Sequence, residues 1–142
     1  MRRALGALAA AGVAAADVET SEGSTDARTY YRSLFGDTST WPGGSEPAVT
    51  EFERAALNSY AAGIDPARVS RTQDPIAQIA GRYEPSSPGY YGGSANFTGA
   101  VFALLALADT KTRTGAVRVP HALLEESIAV LRANRAGGAT AY

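Results

Sequence analysis

The sequence predicts an all-α fold built of helical-hairpin repeats, and three observations carry that prediction. Apolar residues recur at helical spacing in several segments. These segments repeat with a period of about 50 residues. No stretch alternates apolar and polar residues, and no hairpin-turn dipeptide joins two apolar runs.

The opening "MRRALGALAAAGVAAADV" has two readings. Two arginines, an apolar run and Ala14-Ala15-Ala16 resemble an export signal. The same residues also fit the tail of a buried helix, and one comparison favours that second reading. "AAGVAAADV" (10–18) lines up with "AAGIDPARV" (61–69), so that Gly12 meets Gly63, Val13 meets Ile64 and Val18 meets Val69. A cleaved leader has no reason to share a period with the mature chain.

Next, "DARTYYRSLF" (26–35) sets Ala27, Tyr30, Tyr31 and Leu34 on one helix face. "DPIAQIAGRY" (74–83) repeats the spacing 49 residues later with Ile76, Ile79, Ala80 and Tyr83. There, Asp74 is the expected N-cap and Pro75 the first helical residue. The glycine pairs Gly43-Gly44 and Gly92-Gly93 follow at the same offset, and a third copy, "PHALLEESIAVLRAN" (120–134), precedes Gly137-Gly138. Between these lie helices rich in small and apolar residues, 47–63 and 96–109, the second opened by Asn96 as a cap. Residues 101–108 are apolar all round, which predicts burial on most sides.

Composition narrows the function. Charged residues are 19% of 142 and sum to −1, without a basic cluster, so no nucleic-acid partner is expected. Cysteine is absent, which rules out disulfides and thiolate metal sites. No apolar run is long enough for a membrane span.

Several of these stretches resemble the α/α-toroid superfamily of terpene cyclases, squalene cyclases and protein prenyltransferases. The matching pieces are "ALAAAGV", "SYAAGIDPARVS", "ANFTGAVFALLALA" and "SIAVLRANRAGG". They look closest to secreted prenyltransferase and squalene-oxidase repeat proteins of high-GC Gram-positive bacteria. In that family the last piece reads Leu-x-x-x-Gln, polar residues, then Gly-Gly-aromatic; here Asn134 and Arg135 stand near the Gln, and Ala139 follows the glycines. The resemblance implies part of a toroid: one domain over 1–142, with an inner-helix end at 1–18 and repeats near 26–69, 74–110 and 120–142. It also implies an extracellular or cell-envelope location.

The family's catalytic signatures are missing from this stretch. There is no Asp-x-Asp-Asp run, no Asp-rich magnesium face, no Cys-Gly-Glu-Gln, and no zinc set, since Cys is absent and His121 is the lone histidine. Cofactors and catalytic residues are therefore expected to be none, and the chain is expected to be a non-catalytic segment binding an apolar or amphipathic ligand or a protein. Two rivals are a fragment of a cyclase or prenyltransferase whose motif lies elsewhere, and a plain interaction scaffold. Trp41, Tyr60, Tyr90, Tyr91, Phe97 and Phe102 read singly as packing residues, with Trp41 and Tyr90 or Tyr91 plugging hairpin turns; the functional alternative for the six is an aromatic-lined cavity that holds a ligand. His121 is expected at the surface or as a cap. Glu125 and Glu126 diverge by about 100° on a helix and read as a solvated face, and Glu51 and Glu53 beside Arg54 read as exposed helix charges. A partial array also leaves inner helices open on one side, which predicts self-association.

Overall fold

The computed structural model describes residues 2–19, 25–35, 48–92, 97–114 and 119–138. Trp41, Gly43, Gly44, Gly93, Asn96 and Ala139 lie outside the described residues. The chain is mostly helical: α1 (Arg2–Ala10), α2 (Ala27–Ser33), α3 (Val49–Ala61), α4 (Pro75–Ala80), α5 (Phe97–Thr114) and α6 (His121–Gly138). Among the described residues there is no strand, only two isolated bridges, Glu19 with Asp26 and Tyr83 with Tyr91. The helix α3 is the hub. It packs against α1, α4 and α5, and α5 in turn packs against α6.

Local chemistry explains where the helices begin and end. Asp74 caps α4 by accepting from the Ile76 and Ala77 amides at 2.9 and 3.3 Å, with Pro75 at the first helical position. Asp26 caps α2 through the Thr29 amide at 2.8 Å. Both α1 and α3 stop on a glycine in the left-handed region, Gly12 at φ 72° and Gly63 at φ 68°. In each case the glycine amide bonds back three residues, to Ala9 or Tyr60. The next amide, Val13 or Ile64, bonds back five, to Leu8 or Ser59. This is the Schellman termination. A 3-10 turn follows at the same distance in both places, Ala15–Asp17 and Pro66–Arg68.

The core runs from Leu5 on α1 through Tyr31, Phe35, Phe52, Ala56 and Ile79 to Ala103 and Leu107 on α5. The full burial of Ile76 and Ile79 matches the face expected for α4, each contributing roughly 2 kcal/mol.

Four expectations need correction. On α2 the buried row is Ala27, Tyr31 and Phe35, while Tyr30 and Leu34 are exposed, because neighbours cover only one narrow stripe of this short helix. The helix α4 ends at Ala80 instead of continuing to Tyr83, whose backbone leaves to bridge Tyr91. Gly137 and Gly138 are the last residues of α6 and not a turn behind it; no proline interrupts the ladder, and glycine costs only about 1 kcal/mol there. The helix α5 buries Ala100, Ala103, Ala106 and Leu107, but Phe97, Phe102 and Leu105 are exposed. Its described neighbours α3, α4 and α6 leave that side open.

Candidate functional site

Buried hydroxyls tie the helices together. The Tyr31 hydroxyl on α2 donates to the Ala55 carbonyl on α3 at 3.2 Å. Tyr60 on α3 donates to the Ala106 carbonyl on α5 at 3.0 Å. The turn after α4 docks on α6, where Tyr91 and Ser127 share a hydrogen bond of 3.0 Å between their hydroxyls and Ser127 also donates to the Leu123 carbonyl. Tyr83 packs edge-on against Tyr91 and donates to Glu126. Gly89, at φ 86°, lets this turn approach closely: a Cβ there would stand 2.6 Å from the Glu126 carbonyl oxygen. Burial raises the Tyr91 pKa, and the Glu126 hydrogen bond raises that of Tyr83.

The described aromatic candidates occupy different places in the fold. Tyr60 and Tyr91 are buried staples, Tyr90 is half-buried, and Trp41 is outside the described residues. Phe97 and Phe102 lie on the open side of α5. Of the six, Phe102 lines a cleft, about 250 Å³ in volume, between α3 and α5. Gly99 of α5 and Glu53, Arg54, Leu57 and Asn58 of α3 complete most of its lining.

Glu53 is the group that the sequence reading misplaced. It is not an exposed helix charge: it is 1% exposed, and neither carboxyl oxygen has a hydrogen-bond partner among the described residues. The physical reason is its phase, three residues before Ala56 and seven before Tyr60, both buried on the same helix. That phase was a signal available in the sequence. Arg54, next in the chain, turns to solvent and pairs with Glu51 at 2.5 Å. Burial pushes the Glu53 pKa up to about 7, and the Arg54 charge only partly opposes it.

The remaining ionisable candidates are ordinary. The His121 side chain is 82% exposed and faces Glu125 at 3.5 Å. Glu125 is exposed, as expected, but Glu126 is half-buried and occupied by Tyr83. A second, shallower groove gathers Arg32, Arg68 and Arg71 with Thr29 and Ser33. Those two hydroxyls already donate to Asp26 and to the Tyr30 carbonyl. Among the described residues no group of three His, Cys, Asp or Glu side chains gathers to hold a metal ion, and no helix is long and apolar enough to cross a membrane.

Compared with known proteins, the chain matches no family model, no curated protein and no solved structure.

Proposed function

We propose that this chain is a non-catalytic helical-hairpin segment of α/α-toroid type, from a secreted or envelope protein, and that it binds an apolar or amphipathic small molecule in the α3/α5 cleft. The observation that carries the ligand reading is the cleft itself, where Leu57, Gly99 and Phe102 give apolar walls beside the polar side chains of Thr50, Glu53, Arg54, Asn58 and Thr98. The hairpin reading is supported by the paired terminations at Gly12 and Gly63, each followed by the same 3-10 turn. At about 250 Å³ the cleft is smaller than the roughly 300–1,000 Å³ of drug-sized sites, so it suits a short chain or a single ring.

The test is a titration with 1-hexanol followed by methyl NMR. The Leu57 methyls shift saturably, and Phe102→Ala weakens the effect. Leu57 signals that stay still at the solubility limit of the alcohol count against the cleft as a ligand site.

A second reading has its own observation. Phe97, Phe102 and Leu105 are exposed apolar side chains spread over one broad face of α5, a row that suits another helix or a second copy of the chain only in part, through Phe102 and Leu105 one turn apart. Sedimentation across a hundredfold concentration range tests it: self-association that Leu105→Glu abolishes supports the row as a contact surface.

A further inference from the structure

We propose that the α3/α5 cleft takes a small organic amine in its protonated form, with Glu53 as counter-ion and Leu57 and Phe102 around the hydrocarbon part. This rests on the cleft being a ligand site and names the chemistry of its occupant.

The argument starts from hydrogen-bond accounting. Buried polar atoms are nearly always paired, and those that are not call for an explanation. Here the tyrosine and serine hydroxyls of the interior have partners, whereas both oxygens of Glu53 have none among the described residues. An ionised carboxylate only accepts, so what it lacks is donors. Its own neighbour does not supply them, because Arg54 is directed to Glu51. Glu53 belongs to the lining of the cleft, so an occupant can bring them once the side chains covering the carboxyl part.

The type of donor follows from the surroundings. A hard divalent ion requires about six or more oxygens, and Glu53 is the lone carboxylate in the lining. An ammonium group presents three N–H donors. Two can go to Glu53, and Thr50, Asn58 and Thr98 in the same lining carry further acceptor oxygens. The aromatic face of Phe102 attracts a cation, and the apolar wall receives its alkyl chain. In the closed cleft the carboxyl is sealed, so a ligand must part the side chains over it. Phe102, 43% exposed, is a lining side chain loosely held by packing.

Among the described residues few charges lie near Glu53. On α3 there is Arg54, tied to Glu51, and in the turn after α4 there are Tyr91 and Arg82, the latter set over the Phe52 ring. Positions 97–108 of α5, 5–10 of α1 and 75–80 of α4 contain no ionisable side chain. Amine affinity should therefore rise as pH passes upward through about 7, where Glu53 ionises.

The experiment compares n-hexylammonium with 1-hexanol by calorimetry on the full chain at pH 8.0 and 5.5, using wild type and Glu53→Gln. Wild type is expected to bind the ammonium at least tenfold more tightly than the alcohol at pH 8.0. That preference should vanish at pH 5.5 and in Glu53→Gln. A second readout needs no variant: the wild-type Glu53 carboxyl 13C resonance should shift with hexylammonium and not with hexanol. Equal binding of both ligands overturns the counter-ion and leaves the cleft reading standing, whereas binding of neither removes both. A preference that survives Glu53→Gln, or an unmoved Glu53 resonance, also overturns the proposal.

Discussion

The helix α3 has two sides that handle buried polarity in opposite ways. Towards α2, Ser59 and Tyr31 both donate to the Ala55 carbonyl, at 2.6 and 3.2 Å, and nothing polar is left over. Towards the cleft, Glu53 is buried as deeply and has no hydrogen-bond partner among the described residues. The two sides share one helix and one set of packing forces, so burial alone does not explain the difference. A hydroxyl can always turn to a spare carbonyl lone pair of a helix, whereas a carboxylate needs donors, and a helix interior offers none. Staples are cheap for this fold, and an acid is not.

The largest expected effect tests the costly side. The folded pKa of Glu53, about 7, lies above its unfolded value of 4.5. Its proton is therefore bound more tightly in the folded chain, and stability falls as pH rises from 4.5 to 7. Fully ionised, the buried group costs on the order of 3 kcal/mol. Urea unfolding of wild type should show a midpoint higher at pH 5 than at pH 8, and Glu53→Gln should flatten that difference. A wild-type profile flat between these values would place Glu53 among ordinary surface acids.

A smaller loss is expected at the seam between the α4 turn and α6. Gly89→Ala adds a Cβ 2.5 Å from Val130 and 2.6 Å from the Glu126 carbonyl oxygen, at a φ of 86°. Unfolding free energy should drop by roughly 2 kcal/mol, and retention of wild-type stability would mean the turn does not sit on α6 this closely.

The staples themselves should be modest and unequal. Tyr60→Phe removes the buried bond to Ala106 and should cost about 1 kcal/mol. Tyr31→Phe should cost less, about 0.5 kcal/mol, because Ser59 still occupies the Ala55 carbonyl. Chemical denaturation of both variants side by side ranks them, and the reverse order would break the account of how α3 is tied.

How far these features were legible depended on the range of the physics behind them. The Asp74-Pro75 start is settled within a few residues of chain, so letters alone sufficed. The alignment of 10–18 with 61–69 pointed at two stretches that do share a backbone form. Burial is different, because it depends on what packs alongside. Val13 and Ile64 occupy equivalent places after their glycines, yet one is 39% exposed and the other 6%. The all-apolar run 101–108 suggested a helix enclosed on most sides, and the structure leaves Phe102 and Leu105 open. Of the candidate residues, Phe102 lines the α3/α5 cleft, while Tyr60 and Tyr91 are buried. Glu53 was missed because a glutamate beside an arginine reads as solvated, and its phase with Ala56 and Tyr60 was outweighed by its charge.

The central claim is that Glu53 is a dry acid in the lining of the α3/α5 cleft, without a hydrogen-bond partner among the described residues. The most direct measurement is a carboxyl 13C NMR titration of the ligand-free chain, with Glu53 assigned by its loss in Glu53→Gln. The account predicts a midpoint near 7 for that resonance. A midpoint at the ordinary glutamate value of about 4.3 would mean the group is solvated or paired, and the counter-ion role would fall with it.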